Sequence, residues 1–419
     1  MPDDANLENK LRGLLRDPRW SVPTRPGAQA RIRQTARRQR VRKASLTGAA
    51  TGTVIAACAV IIPATIGLLG HTRGPAAGHR PPGGPAVYVA YPNPDPHKLG
   101  AVTPISTATN KPGKPIRLRF NGEIASTLDG KTLYLATGNA VIPIKTATNK
   151  PGKPIHIGSS AYAIDMNPDG KTAYVTGLFA DVITPINIAT NTPGKPIHVS
   201  IGVFPAVMAF TPDGKTAYIS TTDGTVTPIN TATNTPGKPI HIGTGIFEIA
   251  ITPDGKTLYV AGVHTITPIS TATNTPGKPI YVRRPPSAMA ITPDGKTIYV
   301  GSQFAVTPIS TATNKVGKPI HIGGGVLETA ITPDGKTVYV ASDDEGSPGT
   351  VTPVSTATNT AGKPIHVGVS VEIAITPDGK TLYGAALNKV VPISTATNTP
   401  GKPIRHVGPG YPLEIVITP

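Results

Sequence analysis

Five glutamates, Glu123, Glu248, Glu328, Glu372 and Glu414, occupy one position of a repeated phrase; wherever the phrase is complete they stand six residues before the aspartate of a (Pro/Leu)-Asp-Gly-Lys turn. Like charges gathered in one place hold their protons above the ordinary carboxylate range or recruit a cation, so these residues are candidate ligand-binding groups if folding brings them together. Other chemical signatures are sparse. No Gly-rich phosphate loop, Cys-x-x-Cys or His-Glu-x-x-His occurs, and Asp343-Asp344-Glu345 lacks the Asp-x-Asp-x-Asp spacing of a calcium loop. What the glutamates can do therefore depends on the elements that carry them.

Those elements are read from the repeat. The turn aspartates Asp129, Asp169, Asp213, Asp254, Asp294, Asp334 and Asp378 are spaced by 40, 44, 41, 40, 40 and 44 residues, a period that belongs to solenoids and propellers. Between turns the apolar residues alternate, as in Glu248-Ile249-Ala250-Ile251 and Thr257-Leu258-Tyr259-Val260-Ala261, so each unit reads as four short strands, A to D. Thr252-Pro253-Asp254-Gly255-Lys256 is hairpin chemistry joining A to B, and Thr271-Ala272-Thr273-Asn274-Thr275-Pro276-Gly277 joins C to D. One such sheet cannot bury both faces alone. Radial stacking of copies gives an all-β propeller.

The B-strand tyrosines Tyr88, Tyr134, Tyr174, Tyr218, Tyr259, Tyr299, Tyr339 and Tyr383 number eight, but the turn occurs seven times. The repeat region opens on a B strand at Ala86-Val87-Tyr88 and ends on an A strand at Glu414-Ile415-Val416-Ile417. The C-terminal strand is therefore expected to complete the first blade, a three-plus-one closure giving eight four-stranded blades, with seven blades as the other arrangement.

Leu258-Tyr259-Val260-Ala261 after the turn, and Val306-x-x-Ile309-x-Thr311-Ala312-Thr313-Asn314, resemble the YVTN-repeat β-propeller family of surface-layer and lactonase-like proteins. The resemblance covers residues 86 to 419. It implies that strand A begins at the end of a central channel where the D-to-A and B-to-C loops converge, so that the five glutamates form an acidic arc at the channel mouth, with Ala163, Val207 and Ala288 at the same position elsewhere. A departure is the proline of every C strand, from Pro104 to Pro392. Proline cannot donate to a ladder, so the outer half of each blade is expected to be short or irregularly paired. His156, His198, His241, His321 and His366 recur on that outer strand, where equivalent positions diverge, whereas a metal ion needs ligands about 2 Å from one point.

Before the ring, residues 1 to 44 hold 12 Lys or Arg against 4 Asp or Glu, and Leu46 to Leu69 is a 24-residue stretch without a charged side chain. About 20 apolar residues span a bilayer as a helix. The organisation expected is a basic cytoplasmic arm (1–45), one transmembrane helix (46–69), a Pro/Gly-rich tether (70–85) and an extracellular propeller (86–419) at the cell membrane. Ile55-Ala56-Ala57-Cys58 resembles a lipobox, but the apolar run continues to Leu69, which favours spanning over lipidation. Of the +17 formal charge, +8 lies in residues 1 to 44 and +2 in the tether, leaving +7 on the ring. The basicity is topological, the ring has no basic-aromatic interleaving, and nucleic acid is not expected as a partner.

These features lead to a monomeric propeller that serves as a binding or scaffold module for an extracellular protein or a cell-envelope polymer. The alternative is a lactonase-like hydrolase or lyase using the mouth carboxylates with a metal. No cofactor is identified beyond a divalent cation as a candidate at the acidic mouth.

Overall fold

The computed structural model describes residues 85–419 apart from 94, 96, 178–180, 200–206, 222, 244, 344–348 and 370. The basic arm, the apolar 46–69 stretch and all of the tether but Pro85 lie outside the described residues. Among the described residues no helix is long and apolar enough to cross a membrane.

Every described element is a strand, and all the pairings are antiparallel. The Tyr259 repeat shows the pattern. Strand A, Glu248–Ile251, pairs with B, Thr257–Ala261, which pairs with C, Thr265–Ser270. The outermost strand is split into Thr275–Pro276 and Ile280–Tyr281, each bonded to one end of strand C. The interruption is a consequence of the C-strand proline. Pro268 has no N–H to donate, and its carbonyl accepts instead from the N–H of Gly277 in the gap, at 2.7 Å.

The A-to-B turn is closed by side chains as well as backbone. Thr252 Oγ1 donates to Asp254 Oδ1 at 2.6 Å, Asp254 Oδ1 accepts from the Lys256 N–H, and Gly255 sits at φ +73°. In the C-to-D turns Asn110, Asn149, Asn191, Asn234, Asn274, Asn314, Asn359 and Asn398 all adopt φ between 52° and 55°, the left-handed conformation that asparagine tolerates.

Seven sheets result; six hold one repeat each, and the seventh holds two because strands run through their junctions. Thr297–Ser310 passes from B into C without a break, and Ile320–Ile331 passes from D of one repeat into A of the next. Along Thr297–Ser310 the pairing shifts register through a bulge between Gln303 and Ala305, with Phe304 at φ 67°.

Packing between repeats is circular. Each apolar cluster joins neighbours: Tyr259, Ile266 and Ile280 of one repeat pack with Met289, Ile298 and Ile309 of the next. Each B-strand tyrosine donates its hydroxyl to the left-handed asparagine of the following repeat, from Tyr88 to Asn149 at 2.8 Å through Tyr339 to Asn398 at 2.5 Å. The eighth such bond returns to the start, from Tyr383 to Asn110 at 2.6 Å. The C-terminal strand Glu414–Ile417 pairs with Ala86–Tyr91, and Ile415 and Ile417 pack with Val87, Val89, Tyr383 and Val390. The expected three-plus-one closure is present.

Candidate functional site

All five glutamates sit on or just before an innermost strand, each opposite an alanine near the end of its strand B. The facing residues are Ala261 for Glu248, Ala341 for Glu328, Ala385 for Glu372 and Ala90 for Glu414, and the Ala136 N–H donates to the carbonyl of Glu123. Where the repeat has no glutamate, the facing residue differs: Ala163 faces Thr176, Ala288 faces Gly301, and Val207 accepts from the N–H of Ser220.

Three of the carboxylates reach across to the next repeat. Glu328 Oε2 accepts from the N–H of Ile373 at 2.8 Å, and Glu414 Oε2 accepts from the N–H of Ile124 at 2.8 Å. Glu123 accepts in the same way from Ile164, while Glu248 Oε1 accepts from its own neighbour Ile249 at 3.3 Å. An innermost strand has no further strand to satisfy its edge, and these carboxylates supply acceptors to it. One oxygen of Glu123, Glu248, Glu328 and Glu414 is thereby used. The second oxygen of Glu123, Oε2, has no hydrogen-bond partner although the side chain is only 7% exposed.

The glutamates sense one another. Glu328, Glu372, Glu414 and Glu123 lie on innermost strands that adjoin in that order. Burial among the innermost strands raises Glu372 well above the ordinary carboxylate value, and the Glu328 carboxyl beside it, with which it shares a hydrogen bond, raises it further. Burial likewise raises Glu123, reinforced by Asp165 and Glu372, and raises Glu414, reinforced by Glu123, Asp165 and Glu372. Glu328 and Glu248 are each pushed up to about 8, chiefly by burial.

Asp165 is the member that alignment of the repeats did not predict. It stands two residues after Ala163, the aligned position, and the period of two in a strand returns it to the same face one step deeper, opposite Tyr174. Burial pushes it up to about 7. The alternation itself was the signal that could have found it. No lysine or arginine appears among the groups acting on any of the six carboxyls. Arg284, in a nearby loop, donates instead to Gln303 Oε1 at 3.2 Å and lies over the Phe304 ring.

Metal chemistry finds little footing in the geometry. Among the described residues no three His, Cys, Asp or Glu side chains are placed to hold one ion. The recurrent histidines do not all diverge as expected: His198 and His241, on successive outer strands, line one crevice of about 350 Å³ with Asp223 and Thr225. That crevice is the gap between neighbouring sheets, and the Thr225 hydroxyl lies 3.3 Å from His241 Nδ1. Asp344 and Glu345 of the acidic loop lie outside the described residues.

No protein-family model and no curated protein matches the chain. Solved structures do. The chain is similar to Kuenenia stuttgartiensis hydrazine synthase, with 22% identity and a TM-score of 0.52 over 70% of this chain and 98% of that one. It is similar to dihydro-heme d1 dehydrogenase NirN, with 12% identity and a TM-score of 0.65 over 79% of this chain and 74% of that one. A functionally unknown protein from Desulfotomaculum acetoxidans is 17% identical, with a TM-score of 0.55 over 80% and 98% of the two chains. The first two are β-propeller proteins. The fold is a β-propeller. At these identities the likeness is one of fold, and function has to be argued from the site.

Proposed function

We propose that the chain is a YVTN-type surface propeller of eight blades, anchored by a single-pass helix over residues 46 to 69. It binds an extracellular protein or cell-envelope polymer through the face around the channel mouth. Eight tyrosine-to-asparagine bonds in cyclic order support the blade count. The charge asymmetry around residues 46 to 69 supports an N-terminus in the cytoplasm and a ring outside.

One observation carries the binding role. Among the described residues, six of the nine large apolar side chains exposed on the ring, Leu99, Val263, Phe304, Val369, Leu387 and Tyr411, lie at B-to-C or D-to-A junctions and so surround the acidic mouth. The turns of the opposite face repeat from unit to unit with little variation. Exposed apolar surface gathered on one variable face marks an interaction site more than a structural one. A metal-dependent hydrolase or lyase draws less support, because the mouth carboxylates are spread around a ring and not gathered on a point.

Crosslinking of the full-length chain in its own membrane tests the reading. Partner capture is expected to fall when Leu387 and Tyr411 are replaced by serine and to persist when Leu128, in an A-to-B turn, is replaced likewise. Equal capture by the two variants would refute the assignment of the face. Protease added to intact cells is expected to cleave the ring side of the chain, and complete protection would refute the topology.

A further inference from the structure

We propose that the mouth carboxyls Glu123, Asp165, Glu248, Glu328, Glu372 and Glu414 bind a primary alkylammonium group, supplied by a linear polyamine or by a lysine side chain on a partner's loop. This names a ligand class for the face identified above and rests on the reading of that face as a binding surface.

Two kinds of observation carry it beyond the presence of acidic residues. First, the site contains an acceptor that the protein leaves unused: Glu123 Oε2 is buried without a donor. A buried acceptor left without a donor costs about 1–3 kcal/mol, so a donor arriving from outside recovers a term that folding left unmet. Second, the spacing discriminates between cations. A divalent ion takes oxygen ligands at roughly 2.0–2.6 Å around a single centre, and no three side chains are placed to give it that. An ammonium offers three separate donors at ordinary hydrogen-bond length, and a flexible polyamine carries several along an alkyl chain. That matches carboxylates distributed around a channel.

The field of the rest of the ring argues for a local site. The ring carries a formal +7, from +17 less +8 on residues 1 to 44 and +2 on the tether, so its overall charge repels cations and any binding must come from the mouth. The titratable groups facing one another there are the six carboxyls and Tyr162, whose phenol is pushed up by burial, then by Glu123 and Glu414. Because burial holds the carboxyls partly protonated, an incoming cation must displace protons, and binding strengthens as pH rises.

The test is calorimetry of spermine, and separately of a short lysine-bearing peptide, with the full-length chain in detergent at about pH 8.5 and about pH 6. One or both ligands are expected to bind more tightly at the higher pH with release of protons. Affinity is expected to drop at least about tenfold in Glu123→Gln/Glu328→Gln. Glutamine keeps the carbonyl that accepts the neighbouring N–H, and circular dichroism confirms folding; Glu372→Gln is the second variant should the double one not fold. Binding of spermine alone identifies a free polyamine, and binding of the peptide alone identifies a partner's lysine. Binding of neither, binding unchanged in the glutamine variants, or displacement of spermine by equimolar magnesium overturns the proposal. Should partner capture survive in Glu123→Gln/Glu328→Gln while no amine binds, the binding-module reading stands and this one falls.

Discussion

At the scale of single residues the buried carboxyls are expected to make the protein's stability fall as pH rises. Glu248 and Glu328 titrate near 8 in the folded ring against 4.5 for an ordinary glutamate, and Asp165 near 7 against 3.8. Between those limits the folded state binds more protons than the unfolded one, so the stability they contribute is complete below the unfolded values and is lost as pH rises through about 8. The thermal midpoint is expected to decline from about pH 5 to about pH 9, and the slope to flatten in Glu248→Gln/Glu328→Gln. A midpoint that rises over this range would show the carboxyls to be ionised and compensated. The five glutamates were legible because repeats can be laid over one another and a position scored five times. Asp165 was not, since it falls between aligned positions. The bonds from Glu328 to Ile373 and from Glu414 to Ile124 cross from one repeat to the next, and no pattern within a repeat encodes that distance.

At the scale of elements, turn chemistry decides how each hairpin closes, and the A-to-B turn gives the cleanest test. Gly255 adopts φ +73°, where a side chain is strained, and a Cβ there would lie 2.9 Å from Pro212 Cδ of the preceding repeat's turn. Gly255→Ala is therefore expected to lower the unfolding free energy by about 1–2 kcal/mol in urea denaturation, more than the change at an unstrained surface site. A neutral result would mean that the turn readily shifts to a conformation alanine accepts. The lysine beside it matters less: Lys256 and Asp254 lie 3.9 Å apart with both side chains well exposed, a geometry worth little. Strand order and the weakened outer strand could be read from alternation, turn residues and the C-strand prolines. The fusion of two repeats into one sheet could not, because it depends on Ile320–Ile331 running unbroken from strand D of one repeat into strand A of the next and pairing on both sides.

At the scale of the whole molecule, the ring differs from an open array of the same repeats by one joint, so the weight of closure can be measured there. The seam between last and first repeats uses the same tyrosine-to-asparagine bond as the others, Tyr383 to Asn110. It adds contacts of its own: Tyr91 Oη donates to the carbonyls of Ala386 and Lys389 at 3.2 Å, and the Thr103 hydroxyl donates to the carbonyl of Val407. Gly408 lets the Tyr91 ring lie against its backbone, since a Cβ there would stand 2.3 Å from Tyr91 Cγ. Tyr91 is fully buried and cannot swing away, so Gly408→Ala forces the seam apart. The expected cost is about 1–3 kcal/mol, the range for overpacking a tight interior. Removing Glu414–Ile417 together with Thr418 and Pro419 goes further, stripping the first sheet of its innermost strand and exposing the faces of Val87 and Val89 that Ile415 and Ile417 cover. A repeat array held only by nearest neighbours unfolds from its ends. The truncated chain is therefore expected to lose its single cooperative transition by circular dichroism and to be cleaved first at its terminal repeats. A sharp transition with an unchanged midpoint would mean that each joint is sufficient without its neighbours and that the seam only tidies the two ends.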